Sequence, residues 1–243
     1  AGETLTGAGG NDWIFGYKGD DRLEGKEGDD TLKGGKGNDT LIGDGTTQVT
    51  AGDDVLYGGE GNDTLLGGDG DDYLDGGAGN DDIYGGAGDD FINYSGGEDI
   101  IDGGADTDTA SFELITGNGI VLDLYNKTVD VGTSRSILHD IENVIGTAQA
   151  DAITGDQANN IIEGGAGNDT IAGGEGNDTL DGGDGFDTAI FSGNQIDFVI
   201  RPNANGSFSV AGRNEGPEGT DTLSGIERLS FDDGAMNAFV GGS

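Results

Sequence analysis

The 243-residue chain carries a formal net charge of −38, with 48 Asp plus Glu against 10 Lys plus Arg, and contains 53 glycines, two prolines, one histidine and no cysteine. Such acidity excludes nucleic acid as a natural partner and disfavours anionic membrane surfaces; the lack of cysteine excludes disulfides and thiolate metal sites, and no apolar run reaches the ~18 residues that span a bilayer. With hydrophobic residues at 32% and glycine above a fifth, composition alone points to disorder or low complexity, a reading that only strict periodicity can override.

Residues 2–6 (GETLT) read as the end of a repeat with Glu3 in an acidic slot, and no cleavable secretory signal opens the chain. The expectation is a piece cut from a longer polypeptide. From Gly7 a nine-residue unit recurs, Gly-Gly-x-Gly-x-Asp-x-aliphatic-x, most regular over residues 58–93 as GGEGNDTLL, GGDGDDYLD, GGAGNDDIY and GGAGDDFIN. Positions one to six, with three glycines, read as a turn, since glycine weakens regular structure and suits left-handed backbone. Positions seven to nine, such as Tyr73, Leu74 and Asp75, read as a very short strand whose eighth residue alone faces a core. Two units make one coil of a flattened superhelix, so strands and turns eighteen residues apart stack in parallel, with Asp63 beside Asp81 and Asp72 beside Asp90. A column of carboxylates against turn carbonyls repels itself unless a hard, oxygen-preferring cation sits between successive turns. Calcium meets that demand, and magnesium, which insists on octahedral geometry and keeps its waters, meets it poorly.

The sixth positions of this first array are Asp12, Asp21, Asp30, Asp39, Asp54, Asp63, Asp72, Asp81, Asp90, Asp99 and Asp108. The eighth positions, Ile14, Leu23, Leu32, Leu41, Leu56, Leu65, Leu74, Ile83, Ile92, Ile101 and Ala110, are all apolar. Leu41 and Leu56 are fifteen residues apart rather than nine, which makes residues 46–51 a tolerated insertion from one turn. Tyr17, Lys26 and Asp44 replace the second glycine early in the array, and Tyr94, Ser95 and Asp106 stand in glycine slots late in it, so sites at the ends are expected to be weaker.

The texture changes over residues 111–145. Residues 119–125 (GIVLDLY) alternate as a strand, Asn126-Lys127 offers a turn, residues 128–131 return as a partner, and residues 137–145 re-enter the stack. A second array is phased from Gly146, with sixth positions Asp151, Asn160, Asp169, Asp178 and Asp187 and eighth positions Ile153, Ile162, Ile171, Leu180 and Ala189; uncharged Asn160 marks the poorest turn. Residues 190–243 repeat the earlier interruption, with a hairpin of residues 196–200 and 207–210 around residues 203–206, then a GIERLSF segment that matches DIENVI at residues 140–145 and caps the open end. Four segments follow: a first array at 1–111, a hairpin spacer at 112–145, a second array at 146–190 and a C-terminal β cap at 191–243.

The nonapeptides resemble the repeats-in-toxin (RTX) family of secreted bacterial proteins, the calcium-binding β-roll of hemolysins, serralysin proteases, lipases, alginate epimerases, adhesins and surface-layer proteins. The resemblance implies an all-β, right-handed parallel β-roll, an extracellular location and type I secretion. It also implies a ligand set: one turn gives its second and fourth carbonyls and its aspartate, and the stacked turn gives its first and third carbonyls and its aspartate. Carried onto this sequence, Gly59, Gly61 and Asp63 pair with Gly76, Ala78 and Asp81, and Gly68, Gly70, Gly77, Gly79, Gly86, Gly88, Gly165, Gly167, Gly174 and Gly176 supply the corresponding carbonyls elsewhere. Pairing alternate turns gives nine sites in the first array and three in the second, or roughly 8 to 12 Ca2+ once imperfect turns are discounted. The expected function is a calcium-binding module of a larger secreted protein, exported unfolded and folded by calcium outside the cell. The alternative is a polysaccharide-binding, adhesion or surface-layer module on the same scaffold.

Other readings are weaker. His139 has no second base, cysteine or HExxH motif beside it and reads as structural. Adjacent carboxylates such as Asp71 and Asp72 are explained by the calcium turn rather than by glycosidase chemistry. Outward aromatics Trp13, Phe15, Tyr57, Tyr73, Tyr84 and Phe91 read as surface packing, with sugar stacking as the functional option. The third position runs through Gly, Lys, Glu, Asp and Ala, which lacks the hydroxyl column of an ice-binding face, and neither proline follows aspartate as self-cleaving variants require. Nothing supports an enzyme.

Overall fold

The computed structural model describes residues 2–44, 52–213 and 219–237. The expected insertion at residues 46–51 and the last residues of the expected cap lie outside them. The chain divides into two compact units, residues 1–114 with 133–141, and residues 115–132 with 142–243. Residues 112–145 are thus shared between the units.

In the first unit successive strands alternate between two parallel sheets. One contains Thr4–Thr6, Arg22–Lys26, Thr40–Asp44, Thr64–Asp69, Asp82–Ala87, Ile100–Ala105 and Ser134–His139; the other contains Trp13–Lys18, Thr31–Lys36, Val55–Glu60, Tyr73–Ala78, Phe91–Asn93 and Thr109–Ser111. Partners in the array are eighteen residues apart, as in Leu56↔Leu74 and Leu65↔Ile83, and Ser134–His139 joins the last of them, Ile100–Ala105, at an offset of thirty-seven, Ile101↔Leu138. Across the insertion the offset becomes twenty-four, Leu32↔Leu56 and Leu41↔Leu65, without loss of register. The eighth-position side chains form the core: all are at most 1% exposed except Ile14, at 9%. At the far end Tyr94 and Phe112, in first-glycine slots, are buried with ring centroids 5.2 Å apart.

The regular strands are longer than the sequence suggests. Tyr73–Ala78 covers positions seven to nine and also one to three of the next unit, and its glycines pair in the ladder, Gly59↔Gly77. Glycine does not end the strand here because a bare backbone is what the stack requires: a Cβ on Gly77 would strike the carbonyl oxygen of Gly59. Entropic weakness is offset by a ladder with neighbours on both sides.

The repeat strands that stack in the second unit are three residues long, and the strands that close its stacks slightly longer. Ala152–Thr154, Thr170–Ala172, Thr188–Ile190 and Arg228–Phe231 form one parallel stack; Asn143–Ile145, Ile161–Glu163, Thr179–Asp181 and Thr220–Ser224 form the other. Ile120–Asp123 occupies a repeat-strand place beside Ala152–Thr154 and carries Thr128–Val131 as its antiparallel partner. The later hairpin is Phe198–Pro202 with Phe208–Gly212, extended by Thr220–Ser224. Ile196 and Asp197 lie outside it, in a 3-10 turn that follows Asn194. Phe191, Phe198 and Phe231 close that end as a cluster with centroids 5.3 to 5.7 Å apart.

Candidate metal centre

Each regular coil presents the same set of oxygens to the coil after it. The sixth-position carboxylates are buried: from Asp21 to Asp108 and from Asp151 to Asp187 none is more than 4% exposed. One oxygen of each is used between turns. The N–H of Asp54 donates to Asp72 Oδ1 at 2.7 Å, that of Asp63 to Asp81 Oδ1 at 2.8 Å, and that of Asp72 to Asp90 Oδ1 at 2.8 Å; Asp151 and Asp169 repeat the pattern in the second array at 2.8 Å. The other oxygen has no hydrogen-bond partner. This holds for Oδ2 of Asp21, Asp30, Asp39, Asp54, Asp63, Asp72, Asp81, Asp90, Asp169, Asp178 and Asp187. An unpaired carboxylate oxygen in the interior is costly, and native structures rarely leave one without a role.

Glycine contacts show where these oxygens converge. A Cβ on Gly58 would meet both Asp63 Oδ2 and the carbonyl oxygen of Gly76, and Gly67, Gly76 and Gly85 are crowded in the same way by Asp72, Asp81 and Asp90. Second and fourth carbonyls point the opposite way, toward the following coil: Gly59 O faces Gly77, Gly61 O faces Gly79, Gly68 O faces Gly86 and Gly70 O faces Gly88. The third carbonyl bridges the turns directly, with Gly61 N–H donating to Ala78 O at 2.8 Å. Positive φ makes this possible: Gly59, Gly61, Gly68, Gly70, Gly77, Gly79, Gly86, Gly88, Gly165, Gly167, Gly174 and Gly176 all lie between 92° and 148°. Between two stacked turns there is therefore an oxygen-only donor set of carbonyls and carboxylates, which suits a hard cation of flexible, high coordination. Among the described residues no three His, Cys, Asp or Glu side chains form a ready-made cluster. The backbone supplies much of the set.

Burial is the leading cause of the carboxylates' altered proton affinity, and neighbouring carboxylates add to it. Asp54 and Asp63 are pushed up to about 7, Asp72 to about 8 and Asp99 to about 7, while Asp81, Asp90 and Asp169 rise to about 6. Asp30, Asp39, Asp151, Asp178 and Asp187 are also raised. A divalent cation would reverse the pressure.

The end turns differ. Asp12 Oδ2 accepts the N–H of Ala8 at 2.7 Å, and Asp151 Oδ2 accepts that of Thr147 at 2.7 Å, so both are satisfied within their own turns. Asp99 has buried Tyr94 in its turn's first slot. Asn160 uses both ends of its amide, accepting from Asp156 N–H at 3.0 Å and donating to Glu142 O at 2.8 Å. His139 ends the strand Ser134–His139, opposite Asp102. Asp71 is exposed and its Oδ1 accepts the N–H of Asp89 at 2.9 Å, whereas its neighbour Asp72 faces inward.

Two features escape the nonapeptide pattern. The turn column continues past the arrays on other residues: Ser136 Oγ accepts from Asp99 N–H, Asp221 Oδ1 from Asp178 N–H and Glu227 Oε2 from Asp187 N–H. The fifth position is a second ladder, in which Asn62 N–H donates to Asn38 Oδ1 and Asn80 N–H to Asn62 Oδ1, both at 3.0 Å, and Asp71 and Asp89 continue the opposite edge. Its signal was present in the Asn or Asp that precedes most sixth-position residues; Glu98, Thr107, Ala150 and Phe186 are the exceptions.

This geometry defines a repeat-built roll whose stacked turns present carbonyl and carboxylate oxygens to one another. The model of the RTX calcium-binding nonapeptide repeat matches residues 1–32, 18–46, 48–83, 66–101, 75–110, 140–171 and 154–189, well over half of the chain, and the chain belongs to that family. Among solved structures it is similar to the extracellular lipase LipA from Serratia marcescens, at 19% identity and a TM-score of 0.35, over 78% of this chain and 43% of the lipase. This chain thus spans less than half of the lipase's length. No curated protein sequence matches it.

Proposed function

We propose that this chain is the calcium-folded module of a larger secreted protein, unfolded in the producing cell and closed into its roll by Ca2+ outside. The observation that carries this reading is the column of buried, partnerless aspartate oxygens aimed at the glycines of the turns. When bound, calcium neutralises those carboxylates and completes its coordination with turn carbonyls. In the regular coils Gly59, Gly61, Asp63, Gly76, Ala78 and Asp81 would hold one ion, and the equivalent residues of other coils bring the total to roughly 8 to 12. Without it, each repeat has one core side chain to set against glycine entropy and carboxylate repulsion. Binding free energy then becomes folding free energy.

Extracellular calcium modules bind in the ~0.1–1 mM range, far above cytosolic calcium, which keeps the chain open until it has passed through a type I export channel. Among the described residues no helix is long and apolar enough to cross a membrane. The test is a calcium titration read by far-ultraviolet circular dichroism with magnesium as control. A cooperative rise of β signal with calcium alone supports the reading; full β signal in chelator refutes it.

A second reading, a polysaccharide or cell-surface binding module, is favoured by one observation. Tyr57, Tyr73 and Phe91 form a file of rings on the outer face, with centroids 5.7 Å apart at each step, and Lys33 caps the Tyr57 ring at 4.4 Å. Flat, partly exposed rings suit stacking on sugars.

A further inference from the structure

The outward rings of the first unit gather on one face. Trp13, Phe15, Tyr17, Tyr57, Tyr73 and Phe91 all stand on the sheet that begins with Trp13–Lys18, in two groups whose neighbouring centroids lie 5.7 to 6.3 Å apart. Trp13 is 71% exposed and Tyr17 74%. A contiguous exposed patch of this kind marks a contact surface. The acidity of the chain also avoids it. The strands Trp13–Lys18, Thr31–Lys36, Val55–Glu60, Tyr73–Ala78 and Phe91–Asn93 carry Lys18, Lys33 and Lys36 against Glu60 and Asp75, a net +1 in a chain of −38.

The ladder fixes the order of side chains across this face. Position nine runs Phe15, Lys33, Tyr57, Asp75, Asn93, and position seven runs Trp13, Thr31, Val55, Tyr73, Phe91. Both columns are complementary to their own reverse. Turned end for end about the strand Val55–Glu60, the first sets Lys33 opposite Asp75, and the second sets Trp13 opposite Phe91 and Val55 opposite itself. Neither charge is matched within the chain. The ion pairs among the described residues are Arg22–Glu24 and Lys36–Glu60, while Lys33 Nζ rests on the Tyr57 ring at 4.4 Å. Asp75 accepts only neutral donors there, Ser95 Oγ at 2.6 Å and Asn93 Nδ2 at 3.2 Å.

We infer that this face binds a second copy of the same chain: two closed rolls pack sheet to sheet about a two-fold axis along Val55–Glu60, so that each Lys33 meets Asp75 of the other copy and each Trp13 lies against Phe91 of the other copy. A two-fold contact makes every such pair twice. A sugar chain would use the rings but gives no reason for a cation and an anion to flank Tyr57 at equal distance on either side. Five strands at ~4.8 Å spacing and about 20 Å in length give a face of roughly 500 Å2, below the ~800 Å2 per partner of a standard interface, which makes this a weak, reversible dimer. The inference rests on the calcium reading in that the face exists only once the roll has closed, and bound calcium lowers the mutual repulsion of two acidic chains.

The experiment is sedimentation velocity of the whole chain at saturating calcium, with far-ultraviolet circular dichroism on the same samples. The wild type should dimerise with a Kd of about 1 mM or tighter. Lys33→Asp and Asp75→Lys should each weaken the dimer by about tenfold or more, since each sets like charges opposite one another twice. An equimolar mixture of the two variants should dimerise as the wild type does, because a two-fold contact between them restores both pairs. Trp13→Ala should also weaken it about tenfold. Should a charge reversal lose its β signal, Lys33→Met and Asp75→Asn decide in its place by a loss of several-fold. A wild type with full β signal that stays monomeric to about 1 mM overturns the inference and leaves the calcium reading standing; a glycan retained by that monomer gives the face to sugar instead. A dimer indifferent to Lys33 and Asp75, or a mixture that does not recover, overturns it as well. If the wild type gains no β signal with calcium, the calcium reading falls and the interface with it.

Discussion

The backbone N–H of Asp63 donates to Oδ1 of Asp81, one coil further on, at 2.8 Å, while Oδ2 of Asp81 is buried with no partner. One carboxylate thus serves two purposes, joining turns through one oxygen and offering the other to a cation. The two are separable. Asp81→Asn should keep the turn joint and weaken calcium, raising the midpoint of calcium-induced folding without changing the β spectrum at saturation. Asp81→Ala also leaves the Asp63 N–H buried and unpaired and should cost a further ~1–3 kcal/mol in denaturant unfolding at saturating calcium. Equal behaviour of the two variants would show that the joint contributes nothing.

Proton affinity gives a pH dependence of definite sign. Burial raises Asp54, Asp63 and Asp99 to about 7 and Asp72 to about 8, above the unfolded value of 3.8. Between these values the folded, calcium-free roll binds more protons than the open chain, so its stability is fully present below the unfolded value and is lost as pH rises through 7 to 8. Calcium-free chain should therefore gain β signal on acidification from pH 8 to pH 5. Protons compete with the metal, so the calcium midpoint should move to higher concentration as pH falls from 8 to 6. A midpoint that is flat over that interval would mean the carboxylates are already ionised without metal.

Glycine substitutions should sort by position rather than by exposure. A Cβ on Gly58 meets both Asp63 Oδ2 and Gly76 O, whereas a Cβ on Gly10 meets nothing within 4 Å and suffers only from its φ of 90°. Gly58→Ala should cost about 3 kcal/mol at saturating calcium and remove an ion from the stoichiometry. Gly10→Ala should cost about 1–2 kcal/mol, the price of a left-handed residue with a side chain. Calorimetric ion counts for the two variants distinguish them.

The apolar ladder should be linked to the metal. Leu74 is fully buried between Leu56 and Ile92 in the same sheet. Leu74→Ala should destabilise the loaded roll by about 2–5 kcal/mol and shift calcium-induced folding to higher concentration, since core and metal draw on one equilibrium. An unfolding midpoint that moves while the calcium midpoint does not would uncouple them.

The outer aromatic file offers a check on the second functional reading. Alanine at Tyr73 and Phe91 should change stability little, by about 1 kcal/mol or less, because these rings lie outside the core. Loss of binding on a calcium-loaded glycan array, with folding intact, would support a sugar platform; no glycan bound by the wild type would dismiss it.

How much the sequence discloses depends on what the period constrains. Leu56, Leu65 and Leu74 are legible because an eighth-position residue has one inward direction and no alternative. The turn aspartates are legible for the same reason. The length of the strands is not, because propensity counts Gly76 and Gly77 as strand breakers while the stack makes them the only residues that fit against Asp81 and Gly59. Ser136, Asp221 and Glu227 escape because they reach the column through offsets of 37, 43 and 40 residues, set by how the intervening hairpins close.

The eighteen-residue register in the first unit has a consequence for how such a chain can change length. The regular coils meet their neighbours through the same bonds, as Leu56↔Leu74 and Leu65↔Ile83 illustrate. Duplication of eighteen residues adds one storey and leaves all others as they were. Duplication of nine preserves the local motif yet sends each later strand to the opposite sheet, so that whatever follows emerges from the wrong side. By this geometry the array should lengthen or shorten in pairs of repeats, and a single extra nonapeptide acts as a frameshift at the level of architecture.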